Sequence, residues 1–211
     1  MSGRRGIPFV LAAGSGAGKT TLSLRLLERV PGLALSISYT TRPPRGVERD
    51  GVEYHFVDEP TFRQMVESGA FIEWARVHDR YYGSGFAATE SRLGQGIDLL
   101  FDIDVQGGEQ LKRRFPESCL IWIDAPSWEV LEQRLRGRGT DDEAAIQKRL
   151  SNARAEQARA HRSFDHVVVN DDLERATGEL IGLIEQARDR EKAHTHPRQL
   201  SAVDGMAKKK Q

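Results

Sequence analysis

Residues 13–20 read Ala13-Gly14-Ser15-Gly16-Ala17-Gly18-Lys19-Thr20, and they decide the fold, because a glycine-rich loop closed by Gly-Lys-Thr is built to hold nucleotide phosphates. Before the loop, Ile7, Phe9, Val10 and Leu11 make an apolar run suited to a buried strand. After it, Leu22, Leu24, Leu26 and Leu27 supply the apolar face of a helix. Strand, loop and helix in that order are the context of a P-loop. Glycines let backbone N–H groups converge on phosphate oxygens, and the helix N-terminus adds partial positive charge. Ala13 to Thr21 would then wrap the phosphates of a nucleotide, with Lys19 reaching the β- and γ-phosphates and the Thr20 hydroxyl available to Mg²⁺. The motif's first glycine is replaced by Ala13, whose methyl group is tolerated if the residue keeps a strand-like φ.

Working outward, 211 residues allow one sizeable core with small appended regions rather than two large domains. The 38% hydrophobic and 29% charged content is that of a globular protein in water. Lys plus Arg and Asp plus Glu both total 31, so no net field draws the molecule to nucleic acid or an anionic membrane, and neither is expected as a partner. Local charge has to do any anion binding. Cys119, in Ser118-Cys119-Leu120-Ile121-Trp122-Ile123, reads as a small buried hydrophobe; it is the only cysteine, which agrees with a cytoplasmic protein. Arg4-Arg5 and the following apolar residues run straight into the phosphate loop, so they do not read as a signal peptide. No apolar run approaches the roughly 20 residues that cross a bilayer.

Strands are expected near 7–13, 97–103, 119–123 and 166–169, and helices near 18–30, 127–136, 141–160 and 172–190. This alternation predicts an α/β protein, a P-loop three-layer fold with a parallel sheet covered by helices on both faces and the ligand at the strands' carboxyl ends. Residues 35–90 break the rhythm with Pro43-Pro44, several glycines and short aromatic-rich strands at 53–57 and 71–75. They read as a small α+β lobe inserted in a core of residues 1–34 and 91–190. Arg134, Arg136 and Arg138, with Gly137 and Gly139, begin a second irregular region, a candidate lid over about 137–142. From residue 191 onward apolar periodicity stops, and a disordered tail is expected.

In Ser38-Tyr39-Thr40-Thr41-Arg42-Pro43-Pro44-Arg45, two arginines lie three positions apart with prolines stiffening the chain between them. Read alone, the segment is either a second phosphate clamp or an exposed turn. Glu73, between Ile72 and Trp74, is a solvent-facing charge by simple strand alternation, and Tyr54 and Tyr82 could be core aromatics. Arg134 and Arg149 sit on helical patterns where solvent-facing arginines are common.

Taken in order with Phe71-Ile72-Glu73-Trp74, Tyr81-Tyr82-Gly83-Ser84, Asp102-Ile103-Asp104-Val105-Gln106-Gly107, Gly137-Arg138-Gly139-Thr140 and Val169-Asn170-Asp171-Asp172, however, the segment makes the chain resemble guanylate kinase over about residues 7–190. The resemblance implies transfer of the γ-phosphoryl group of ATP to GMP or dGMP. It implies that Arg42, Arg45, Tyr54 and Tyr82 hold the GMP phosphate, and that Ser38, Glu73, Ser84 and Asp104 read guanine. Asp102 would lie at the same GMP site and hold Mg²⁺ through water, with a buried hydrogen-bonding role as the alternative. Lys19, Arg42, Arg134, Arg138 and Arg149 would act on the phosphates during transfer, and Asn170 would lie near adenine. Guanine's N1–H and amino group suit a carboxylate acceptor and its O6 suits a hydroxyl, a pattern AMP lacks. A noncatalytic interaction module on the same fold would have no need of Gly18-Lys19-Thr20 together with the arginines.

Overall fold

The computed structural model describes residues 4–77, 79–137 and 142–195. Along the first half run β1 (Pro8–Ala13), α1 (Lys19–Arg29), β2 (Leu33–Leu35), β3 (Tyr39–Thr40), β4 (His55–Phe56), α2 (Glu59–Glu67), β5 (Phe71–Val77), β6 (Arg80–Gly85) and α3 (Phe86–Gly94). The second half holds β7 (Asp98–Asp102), α4 (Val105–Arg114), β8 (Cys119–Asp124), α5 (Trp128–Arg136), α6 (Glu143–Ser163), β9 (His166–Val169) and α7 (Leu173–Thr195).

β1 is the middle strand of a five-stranded sheet ordered β2-β7-β1-β8-β9, and every neighbouring pair is parallel. Parallel neighbours need long crossovers, and the helices supply them. Side chains of β1 alternate between faces. Phe9 and Leu11 pack with Leu22 and Leu26 of α1 and with Leu180 and Ile184 of α7, whereas Val10 and Ala12 pack with Leu93 of α3 and Leu111 of α4. The result is the three-layer α/β arrangement expected from the alternation. Cys119 is buried as expected, and burial pushes its thiol up to about 12.

A second sheet, ordered β4-β3-β6-β5, is built from residues 39–85 and is antiparallel except where β3 meets β4. The α2 helix seats Phe62 on it, stacked on Phe71 and Tyr81 with ring centroids at 4.5 and 5.4 Å. Asp58 caps α2, accepting a bond from the Thr61 N–H.

Several elements lie outside the reading of the sequence, among them β2, α3 and α4. Residues 105–114 form α4 although Gly107-Gly108 lower helix propensity there; Asp104 starts the helix by accepting from the Gly107 N–H at 2.8 Å. The last helix continues to Thr195, past residue 191 where the tail was expected to begin, because neither proline nor glycine falls between Leu183 and Thr195. The candidate lid position Arg138 lies outside the described residues, as do 196–211.

Candidate active site

The site is assembled where β1 and β7 end. Ala13 is the last residue of β1, still paired with Ile123, so its methyl group sits on extended backbone and the missing glycine costs nothing sterically. Gly18 has φ of +94°, and a Cβ there would lie 2.3 Å from the Asn170 amide nitrogen, so only glycine fits. α1 begins at Lys19 without a side-chain cap, which leaves its first N–H groups to meet an anion.

Three residues expected near ATP meet this loop from other elements. Asn170, buried just after β9, donates to the Ala17 carbonyl at 2.8 Å. Arg134 of α5 donates to the Ala17 and Asn170 carbonyls at 3.5 and 3.1 Å, and Arg149 of α6 donates to Ser15 Oγ at 3.2 Å. Asn170 thus braces the loop through its amide nitrogen. Lys19 Nζ is 2.5 Å from Asp102 Oδ1 and donates to the Ile103 carbonyl at 3.2 Å. Asp102 is the last residue of β7, level with Leu11 of β1, and this register brings it to the lysine.

From Lys19 and Thr20 a cavity of about 450 Å³ extends toward Tyr54, Glu73 and Tyr82 of the second sheet, with Ser38, Asp102 and Asp104 along its walls. Thr20 and Thr21 are both exposed in the first turn of α1.

Glu73 is 4% exposed. Strand alternation would have turned it to solvent, but β5 carries a bulge between Phe71 and Glu73 that puts Ile72 and Glu73 both inside and Trp74 outside. Its Oε1 accepts a hydrogen bond from Ser84 Oγ of β6 at 2.6 Å. Burial pushes the carboxyl up to about 7, with the Ser84 hydroxyl pulling it down and Asp104 raising it further. A buried carboxylate is the acceptor expected for guanine's N–H donors, while the single O–H of Ser84 is spent on Glu73.

At the far wall Arg42 is 8% exposed, with its guanidinium 5.3 Å from the Tyr54 ring centroid. The Tyr54 and Tyr82 rings meet edge to face at 6.1 Å. Tyr54 is held above the usual phenol range, first by burial and then by Tyr82, while Arg42 opposes the shift. Arg45 is exposed, so only one of the two arginines is fixed in place. Arg42 therefore sits behind Tyr54 of the cavity wall, neither it nor Arg45 lines the cavity itself, and Lys19, Arg134 and Arg149 gather around the phosphate loop.

The profile of the family described as guanylate kinase matches residues 5–187. The chain belongs to the guanylate kinase family. It is 48% identical over 185 residues to the guanylate kinase of Myxococcus xanthus, covering 88% of each chain. It is 52% identical over 177 residues to that of Oleidesulfovibrio alaskensis, covering 84% of this chain and 85% of that one. The crystal structure of guanylate kinase from Anaplasma phagocytophilum superposes with a TM-score of 0.72 at 26% identity, covering 97% of this chain and all of that one.

Two carboxylates at the site were not singled out in the sequence. Glu48 bonds Arg42, and Glu156 of α6 is half-buried close enough to feel Asp104 and Lys19, with burial and Asp104 raising its carboxyl and Lys19 lowering it. Glu48 had a signal, an acid three residues beyond Arg45 in a Pro/Gly turn; Glu156 had none, since α6 is polar along most of its length. Among the described residues no helix is long and apolar enough to cross a membrane.

Proposed function

We propose that this protein phosphorylates GMP with ATP, in the cytoplasm, by holding the two nucleotides head to head between the P-loop and the second sheet. The observation that carries the reading is that one cavity joins Lys19 and Thr20 of the phosphate loop to the buried Glu73. GMP enters with its base against Glu73 and Ser84, beside Ser38 and Asp104, and its phosphate against Arg42, Tyr54 and Tyr82. Arg45 swings in from solvent. ATP lays its phosphates on the N–H groups of residues 14–20, and Asn170 keeps the loop closed while its amide oxygen remains available to adenine.

Phosphoryl transfer asks a protein for positioning and charge neutralisation more than for covalent chemistry. Lys19 leaves Asp102 for the β- and γ-phosphates, and Arg134 and Arg149 add positive charge on the same side, which offsets the repulsion between two anionic substrates. The Thr20 hydroxyl and the Asp102 carboxylate, both on the cavity wall, are hard oxygen donors that fit Mg²⁺. When bound, Mg²⁺ would neutralise developing phosphate charge. Asp102, once released by Lys19, would be available with Thr20 to hold the ion.

The test is ADP release from ATP, with GMP, AMP, CMP and UMP assayed in parallel. Release supported by GMP alone is expected. Equal turnover with AMP would remove Glu73 and Ser84 from the base pocket, and no turnover with any nucleotide would sink the reaction.

A further inference from the structure

The turn after Pro43-Pro44 folds an acid back onto the acceptor-phosphate arginine. Gly46 takes φ of +54°, the Glu48 N–H donates to the Arg45 carbonyl at 3.0 Å, and the chain reverses so that Glu48 lies over Arg42. Arg42 Nη1 and Nη2 donate to Glu48 Oε2 and Oε1, both at 2.9 Å, and Nη1 also donates to the Pro43 carbonyl at 2.8 Å. Glu48 Oε2 accepts in addition from the Arg45 backbone N–H at 2.7 Å. The two side chains are 9% and 23% exposed, so this pair is shielded far more than an ordinary surface ion pair.

A guanidinium offers two bidentate edges, one made by Nη1 and Nη2 and one by Nε and Nη2. Glu48 occupies the first. The second keeps its Nε–H and one Nη2–H, and Tyr82 lies near enough to the guanidinium to help hold its charge. The flat face is fixed as well, by the Tyr54 and Phe56 rings at 5.3 and 5.9 Å. With one edge and one face taken, the guanidinium has a single orientation left, in which its open edge serves a phosphate.

We infer that Glu48 is a positioning residue for the acceptor phosphate: it holds Arg42 by one edge so that the other edge is set for GMP before GMP arrives. The inference rests on Arg42 serving the GMP phosphate. An arginine that has already lost its rotamer freedom loses less on binding, so Glu48 contributes to GMP affinity without touching GMP. It also ties the Arg45 backbone to the same carboxylate, so the two arms of the clamp share one anchor. The opposite role, a carboxylate standing in the phosphate's place and competing with it, would require Glu48 on the edge that the phosphate uses.

Glu48→Gln keeps the shape but places an amide N–H against a guanidinium N–H, which breaks the fork. The KM for GMP is expected to rise about five- to tenfold, the range set by immobilising one rotamer-rich side chain. The KM for ATP and kcat at saturating GMP should stay within about twofold, and Glu48→Asp, which keeps the charge on a shorter arm, should recover part of the loss. Guanosine, used as a competitive inhibitor, carries the base without the phosphate, and its inhibition constant should not move. In an Arg42→Ala background, Glu48→Gln should add almost nothing. A GMP KM that falls or stays unchanged in Glu48→Gln would overturn the inference, as would an equal weakening of guanosine, which would mark a merely structural role. If Arg42→Ala itself left the GMP KM unchanged, the placement of Arg42 on the acceptor phosphate would fail and this inference with it; if only Glu48→Gln were silent, the placement would stand and the inference alone would fall.

Discussion

In the proposed base pocket Glu73 would meet two opposed demands: guanine's N–H donors call for a carboxylate, and the bulge in β5 buries that carboxylate where its proton is hard to lose. Burial pushes it up to about 7 from the ordinary 4.5. The folded protein therefore binds this proton more tightly than the unfolded chain does, so Glu73 withdraws stability as pH rises from about 4.5 through 7 and the loss is complete above that. Glu73→Gln is accordingly expected to raise Tm at about pH 8 and to change it little at about pH 5, as thermal melts would read. Binding moves the other way. If GMP docks on the ionised form, its KM should fall more steeply between about pH 6 and pH 8 in the native protein than in Glu73→Gln, where only the phosphate of GMP, with its second pKa at about 6, still titrates. A GMP KM with the same pH dependence in both would mean that this carboxyl does not receive the base.

Among the elements, α4 does most to explain why the site was only partly legible. The P-loop declared itself because one short motif carries loop, lysine and helix start together, and β1, β7 and β8 were legible because buried parallel strands are continuous apolar runs, while the edge strand β9 showed as three consecutive valines although only Val168 is buried. α4 was not, because Gly107-Gly108 lower helix propensity and no helix was expected there. Both glycines serve packing: a Cβ on Gly107 would come 3.0 Å from Glu73 Oε2, and one on Gly108 would come 2.8 Å from the Phe164 ring. The same gap explains Glu73, whose inward turn depends on a bulge that residue alternation cannot foresee. The partners that hold Arg42 and Lys19 were hidden for a third reason, since Asp102 reaches Lys19 through the strand register and Glu48 through a turn. Gly107→Ala separates packing from propensity. Alanine favours the helix by about 1 kcal/mol over glycine, which offsets much of the crowding, while the displaced Glu73 carboxylate should raise the GMP KM several-fold. Melting and steady-state kinetics on the same preparation would check this; a lowered Tm with an unchanged GMP KM would place the crowding elsewhere.

On the scale of the whole molecule, the site depends on strand ends being held in register, and the far end of the sheet carries a device that does this. Asp98, the first residue of β7, is fully buried. Its carboxylate accepts from Arg4 Nη1 and Nη2 at 2.7 and 2.8 Å, from Arg188 Nε at 2.7 Å and from the Ile7 backbone N–H at 2.8 Å. One side chain thereby joins the segment before β1, the strand β7 and the helix α7, which also reaches the Pro31 carbonyl through Arg188. Two arginines on one carboxylate leave a net positive cluster if the acid is removed, and an uncompensated buried charge costs more than the pair contributes. Asp98→Ala is therefore expected to cost about 3–5 kcal/mol, a large part of a domain's stability, visible as a lower urea midpoint with an unchanged slope. Asp98 sits at the amino end of β7 and Asp102, which meets Lys19, at the carboxyl end, so the chemistry is not touched directly. At a low temperature where the variant remains folded, kcat and both KM values should match the native protein. A fall in kcat without a shift in the urea midpoint would mean that the staple sets the geometry of the P-loop rather than the stability of the sheet.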